Sequence, residues 1–230
     1  MRILITGGNS GLGKVIVDHL LTRDDLSHLA LTYRSKSISN LVDERVEQLH
    51  LDFSQSDSMV SLNKFIEKFE IDVLVNNAWQ SFELKRFDTM DLDDHREMMQ
   101  QSLVGTLEVS QAVIRKMKQL KKGKVINILS AYLLGNTPMG VSHYVGSKAY
   151  LEAASRSWMT ELKKFKIAVH NIYPGPMAIG MNKNVDRRIL EMIAMERQSG
   201  KLTQATEVAQ GVGDIIDWDF SANGEPLILE

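Results

Sequence analysis

Arg2-Ile3-Leu4-Ile5-Thr6-Gly7-Gly8-Asn9-Ser10-Gly11-Leu12-Gly13 opens on a short apolar run of β type and passes into a glycine-rich turn. The next residues, Val15-Ile16-Val17-Asp18-His19-Leu20-Leu21, have apolar spacing that suits one face of a helix. The order is strand, turn, helix. Glycines at 7, 11 and 13 permit a tight turn, close backbone approach to a pyrophosphate, and close packing of helix on sheet. The first turn of the helix would aim unpaired N–H groups at the phosphates. Three residues separate Gly7 from Gly11, so the spacing departs from G-x-G-x-x-G, and a glycine cluster alone also fits an ordinary turn.

The remainder of the chain gives the turn its context. Strand-like runs are expected at 29–33, 46–51, 73–75, 124–129, 167–172 and 226–229, and helical periodicity at 57–69, 92–120, 144–164 and 206–216. Alternation of this kind predicts an α/β fold, a doubly wound Rossmann-type parallel sheet with helices on both faces. No repeat, low-complexity tract or linker interrupts residues 1–230, which read as a single domain carrying both dinucleotide binding and catalysis. The stretch from about 177 to 204 breaks the alternation, with Met177, Met181, Met192 and Met195 set among charges and two glycines. It comes after a strand end, where an insertion would cover a ligand. It reads either as a mobile lid over an apolar substrate or as a surface helix pair filled with methionine.

Composition narrows the class. With 27 Lys and Arg against 29 Asp and Glu, the formal net charge is −2, and nothing points to nucleic acid or an anionic membrane surface. The absence of cysteine excludes disulfides and thiolate chemistry, and the six histidines show no metal-ligand spacing, so no metal site is expected. The sequence shows no secretory or membrane-spanning run, and a cytoplasmic location is the expectation.

Tyr144 and Lys148 are four residues apart at the start of a helical segment, on one face. A nearby ammonium stabilises phenolate, so the pair predicts a tyrosine with a lowered pKa that donates a proton to a developing alkoxide. Ser130, at a strand end, can hydrogen-bond the same oxygen.

These motifs resemble, in order and over nearly the whole chain, the short-chain dehydrogenase/reductase family, in its single-domain ketoreductase-like branch. Thr6 to Gly13 resembles T-G-x-x-x-G-x-G, Leu51-Asp52 the adenine-contacting pair, and Asn76-Asn77-Ala78 the start of N-N-A-G. Ser130 and Tyr144-Val145-Gly146-Ser147-Lys148 resemble the catalytic Ser and Y-x-x-x-K, and Pro174-Gly175-Pro176-Met177 the segment beside the nicotinamide. The resemblance implies Tyr144 as general acid/base, Ser130 as substrate-orienting group, and Lys148 as ribose ligand and tuner of the tyrosine. It implies cofactor contacts from Gly7, Asn9, Ser10, Gly11, Leu12 and Gly13 in the first turn. Further contacts are expected from Asp52, Phe53, Asn77 and Ala78 on the adenosine side, and from Pro174, Gly175 and Met177 beside the nicotinamide.

Three departures stand out. The glycine of N-N-A-G is Trp79, the helical Asn that completes the family's catalytic tetrad aligns with Ser102, and the Thr after P-G aligns with Ile179. Ser102 is a catalytic candidate, able to hold a water but without the reach of an amide. After the second strand the chain has Tyr33-Arg34-Ser35-Lys36 in place of an acid. Arg34 suits a 2′-phosphate, so NADP(H) is preferred, with NAD(H) as the alternative.

The expected function is reduction of a ketone or aldehyde, of ketoacyl or polyketide type, on a small-molecule or carrier-bound substrate, by a homodimer or homotetramer. The second reading is a catalytically weakened, dinucleotide-binding regulatory or structural partner.

Overall fold

The structure, a computed structural model, describes every residue except Ser10, Lys183, Asn184, Gln198 and Glu230. Among the described residues, seven strands form one parallel sheet. They are β1 (Arg2–Ile5), β2 (His28–Tyr33), β3 (Val46–His50), β4 (Val73–Asn76), β5 (Gly123–Ile128), β6 (Ile167–Pro174) and β7 (Leu227–Leu229). Their order across the sheet is β3-β2-β1-β4-β5-β6-β7, every neighbouring pair parallel. The central strands are buried on both faces, as β6 is at all eight positions, which is why they read as continuous apolar runs.

Helices α1 (Gly11–Leu20), α2 (Ser56–Lys68), α3 (Leu92–Met98), α4 (Gly105–Leu120), α5 (Ser142–Leu162), α6 (Arg187–Met195) and α7 (Ala205–Asp217) succeed one another in chain order. One core joins α1 and α7 to the sheet through Ile16, Leu20, Val208 and Val212; the other joins α2 and α4 through Leu62, Phe65, Val109 and Val113. Each face of the sheet thus has its own apolar cover. The chain order reverses between β1 and β4, and a crevice opens beyond their carboxyl ends.

Strand and helix positions fall within one or two residues of those expected, except that α1 begins four residues earlier, at Gly11, and that one long helix is interrupted. The single helix expected over 92–120 is three pieces: α3, a π-helical turn at Met99–Val104, and α4. The wider turn buries Ser102 and Leu103 together. Where α4 begins, Gly105 leaves space for an aromatic ring, since a Cβ there would lie 2.2 Å from Phe53 Cγ.

A buried polar chain fixes α4 and α5 to the sheet. Asn76 donates to Ser110 on α4 at 2.8 Å and to Asn127 on β5 at 2.9 Å. Asn127 in turn donates to Asn171 on β6 at 3.0 Å, and Asn171 to Ser155 on α5 at 2.9 Å. Polar groups bonded in a low-dielectric interior specify one register, and this one sets the position of the helix that carries Tyr144 and Lys148.

The segment after β6 is a short turn at Gly180–Asn182 and then α6. Helix α6 buries Leu190 and Ala194, while Met192 and Met195 are exposed. Among the described residues of this segment α6 is the single α-helix, where a helix pair was the alternative offered. At its far end Arg197 donates to the Ala131 carbonyl at 2.7 Å and the Asn136 carbonyl at 2.8 Å, with its guanidinium over the Tyr132 ring. Among the described residues no helix is long and apolar enough to cross a membrane.

Candidate active site

The crevice is a cleft of about 720 Å³ that runs from Arg34 and Asp52 at one end to Ser130, Tyr144 and Lys148 at the other. Its floor is stitched from the two central strands. Thr6 Oγ1 accepts from the Asn77 N–H at 3.1 Å and the Ala78 N–H at 3.0 Å, and the Asn77 side-chain amide donates to the carbonyls of Thr6 and Gly7. The turn after β1 is therefore held by the turn after β4.

Gly7 and Gly11 have φ of +65° and +52°, a region that side chains enter at a cost. A Cβ on Gly13 would lie 2.0 Å from the Gly7 carbonyl, and one on Gly11 would lie 2.7 Å from Gly180 Cα. The loop closes on itself and on the segment after β6 only because these positions are bare. Its backbone faces the cleft at the N-terminus of α1, so the cradle fits a dinucleotide pyrophosphate in shape and dipole. Asn9, Leu12, Phe53, Ala78, Pro174, Gly175 and Met177 also line the cleft, whereas Ser10 lies outside the described residues.

Asn9 reaches sideways to the Lys36 carbonyl at 2.7 Å, tying the glycine turn to the loop that carries Arg34. Arg34 is exposed at the cleft rim. The Asp52 carboxylate accepts from the N–H and hydroxyl of Ser54. These bonds, with a smaller contribution from Arg34, hold it below the ordinary carboxylate range.

At the other end, the Tyr144 ring is nearly buried and stacks under Phe82, with centroids 4.6 Å apart. Burial pushes its phenol well above the ordinary value, and a hydrogen bond with Ser130 opposes that push. The lowered value expected from a neighbouring ammonium is therefore reversed: desolvation of phenolate sets the direction. Lys148, also buried, donates to the Ile128 carbonyl at 2.6 Å, and its Nζ stands 6.0 Å from the Tyr144 ring centroid. Burial drives its ammonium well below the ordinary value.

Among the described candidates, Ser102 alone does not reach the cleft wall. It is fully buried. Its hydroxyl accepts from the Gln80 N–H at 3.0 Å and faces Met98 Sδ at 3.4 Å. Buried and bonded within the protein, it stands away from the cleft where the catalytic assignment expected it. Ile179 lines the cleft as expected from its place after P-G.

Sequence reasoning missed two aromatic contacts. Phe82 covers Tyr144 and meets His143 edge-on at 5.2 Å, and the Trp79 ring faces Lys148 Nζ at 3.6 Å. The Trp at the N-N-A-G glycine was visible in the sequence, but whether it turned inward was not.

A family model described as short chain dehydrogenase matches residues 1–189. The chain belongs to that family. It is 27% identical to the 3-oxoacyl-[acyl-carrier-protein] reductase FabG of Thermotoga maritima, over 90% of this chain and 86% of that one. It is also 27% identical to the protein of the same name from Salmonella typhimurium, over 97% and 93% of the two chains. Among solved structures, "ElxO with NADP Bound" superposes with a TM-score of 0.86 at 23% identity, covering 99% of this chain and 96% of the other.

Proposed function

We propose that this chain is a cytoplasmic NADPH-preferring reductase that converts a ketone or aldehyde, of 3-oxoacyl type, to an alcohol. One observation carries the reading: a buried Tyr144 lines the cleft with Ser130, with Lys148 one helical turn on, at one end of a cleft whose other end is a glycine cradle. The likeness to the two 3-oxoacyl reductases supports the substrate class, small or carrier-bound, and the NADP in the superposed structure supports the cofactor.

NADPH, when bound, supplies the hydride. Gly7 to Gly13 would hold its pyrophosphate, Arg34 its 2′-phosphate, and Lys148 its ribose hydroxyls. Tyr144 gives its phenolic proton to the oxygen on which charge develops, and Ser130 bonds that oxygen from the side. Burial keeps the phenol protonated through neutral pH, the form a reduction uses. We read α6, tied to the loop after β5 through Arg197, as the cover of the substrate end, a reading supported by the Arg197 bonds to the Ala131 and Asn136 carbonyls.

The test is NADPH consumption with acetoacetyl-CoA and a panel of smaller ketones and aldehydes. Turnover of at least one supports the reading. NADPH binding without turnover of any would replace it with a dinucleotide-binding partner.

Arg34 gives a separate prediction. A charged hydrogen bond to phosphate at an exposed rim should favour NADPH over NADH by on the order of tenfold, the low end of such contacts. Arg34→Ala should erase that preference while leaving NADH affinity nearly unchanged. Calorimetric titration of both dinucleotides decides it, and equal wild-type affinities would remove Arg34 from the site.

The exposed flanks of α4 and α5 are the faces through which we expect two copies to associate, since a symmetric dimer buries one patch twice. Light scattering at micromolar concentration should give a mass of two or four chains. A monomeric mass would refute it.

A further inference from the structure

Two departures from the family pattern, Trp79 and Ser102, meet at one backbone position. Ser102 Oγ accepts the N–H of Gln80, the residue after Trp79, at 3.0 Å. Trp79 packs with Leu103, Leu129 and Leu151, and its ring face lies 3.6 Å from Lys148 Nζ. Its indole N–H is buried and has no partner among the described residues, so within them the ring is held by its faces.

Lys148 is 2% exposed. Its described polar contact is the Ile128 carbonyl, and among the described residues it forms no ion pair with a carboxylate. An ammonium so placed needs electron-rich neighbours to stay charged, and an indole face is the strongest that an aromatic side chain supplies. We propose that Trp79 is a positioning residue for Lys148, holding the buried ammonium charged and in place through its ring face, and that Ser102 sets Trp79 there through the Gln80 N–H. In place of the role expected of Ser102 in a water relay, its bond to the Gln80 N–H makes the two unusual residues act as one unit.

This rests on the reading of Lys148 as the ribose ligand and charge beside Tyr144, so the test reads the lysine directly. Carbon-13 NMR tracks the Cε of Lys148, assigned by its loss in Lys148→Met, across a pH titration. In the wild type the attached protons should be shifted upfield by the indole ring. In Trp79→Leu that shift should vanish, and the deprotonation midpoint should fall by about one pH unit, the scale of a desolvated cation–π contact. Trp79→Phe keeps a ring face and should restore most of the midpoint. Ser102→Ala, which leaves both partners intact, should lower the midpoint in the same direction by less.

Other groups near the pair are accounted for. Tyr144 lies on the same helix as Lys148, Tyr132 with Arg197 over it approaches from the Ser130 side, and His143 faces His95 of α3. None is altered by these substitutions.

A tryptophan that only fills space would lower the melting temperature when replaced and leave the midpoint alone. That result in Trp79→Leu, or in Ser102→Ala where the leucine variant does not fold, overturns the proposal. If the midpoint moves and the wild type reduces no carbonyl, the clamp stands and the reductase reading falls. If acetoacetyl-CoA is reduced and the midpoint stays, the reverse holds.

Discussion

Tyr144→Phe is expected to lower the turnover of carbonyl reduction by about 10²- to 10⁴-fold, the usual contribution of a positioned general acid, while changing NADPH affinity less than about twofold. The ring is kept, so its stack against Phe82 and its packing in the cleft wall survive. What goes is one hydroxyl and with it the transferable proton. Burial raises the phenol's pKa, so in the wild type the acid form persists from neutral pH upward, and the reduction rate should be flat there with respect to this group. In the oxidation direction the group must be phenolate, and the rate should rise with pH. Steady-state kinetics with acetoacetyl-CoA, paired with calorimetry of NADPH, separates the two effects. Near-wild-type turnover in the phenylalanine variant would dismiss Tyr144 as the proton donor.

Much of this site could be read from the sequence because its parts are local. The glycine turn needs bare positions at 7, 11 and 13, and a backbone demand of that kind leaves a visible mark. The buried parallel strands leave another, since both of their faces must be apolar. Tyr144 and Lys148 share a helix face by spacing alone.

What could not be read depends on contacts between distant segments. The π-helical turn at Met99–Val104 has no periodicity of its own, because one extra residue per turn is absorbed by packing around Ser102 and Leu103. The direction of the Tyr144 shift needed the depth of burial, which the sequence does not carry. Likewise Ser102 looked like a hydroxyl available to water until its bond to the Gln80 N–H was seen. The polar chain from Ser110 to Ser155 is made of five ordinary residues whose roles appear only when three strands are adjacent.

Lys148→Met is expected to be the more damaging substitution for the whole cycle, because in the proposed function the ammonium serves both binding and chemistry. Removing the charge that supports the proton donor and the contact to the ribose should lower kcat/KM by about 10³-fold or more, through turnover and NADPH affinity together. Folding should respond differently. The Ile128 carbonyl loses its partner, which costs about 1–3 kcal/mol when an acceptor is left buried and unbonded. Against that, an ammonium that is 2% exposed no longer has to be desolvated, and replacing a buried charge by an apolar chain of similar length is often neutral or stabilising. Methionine also keeps a polarisable group against the Trp79 ring. Its melting temperature should therefore stay within a few degrees of the wild type or rise, while activity collapses. Differential scanning calorimetry beside kinetics and NADPH titration makes the comparison. A variant that keeps its cofactor affinity and its turnover would remove Lys148 from both roles, and one that simply unfolds would show that the buried ammonium is structural.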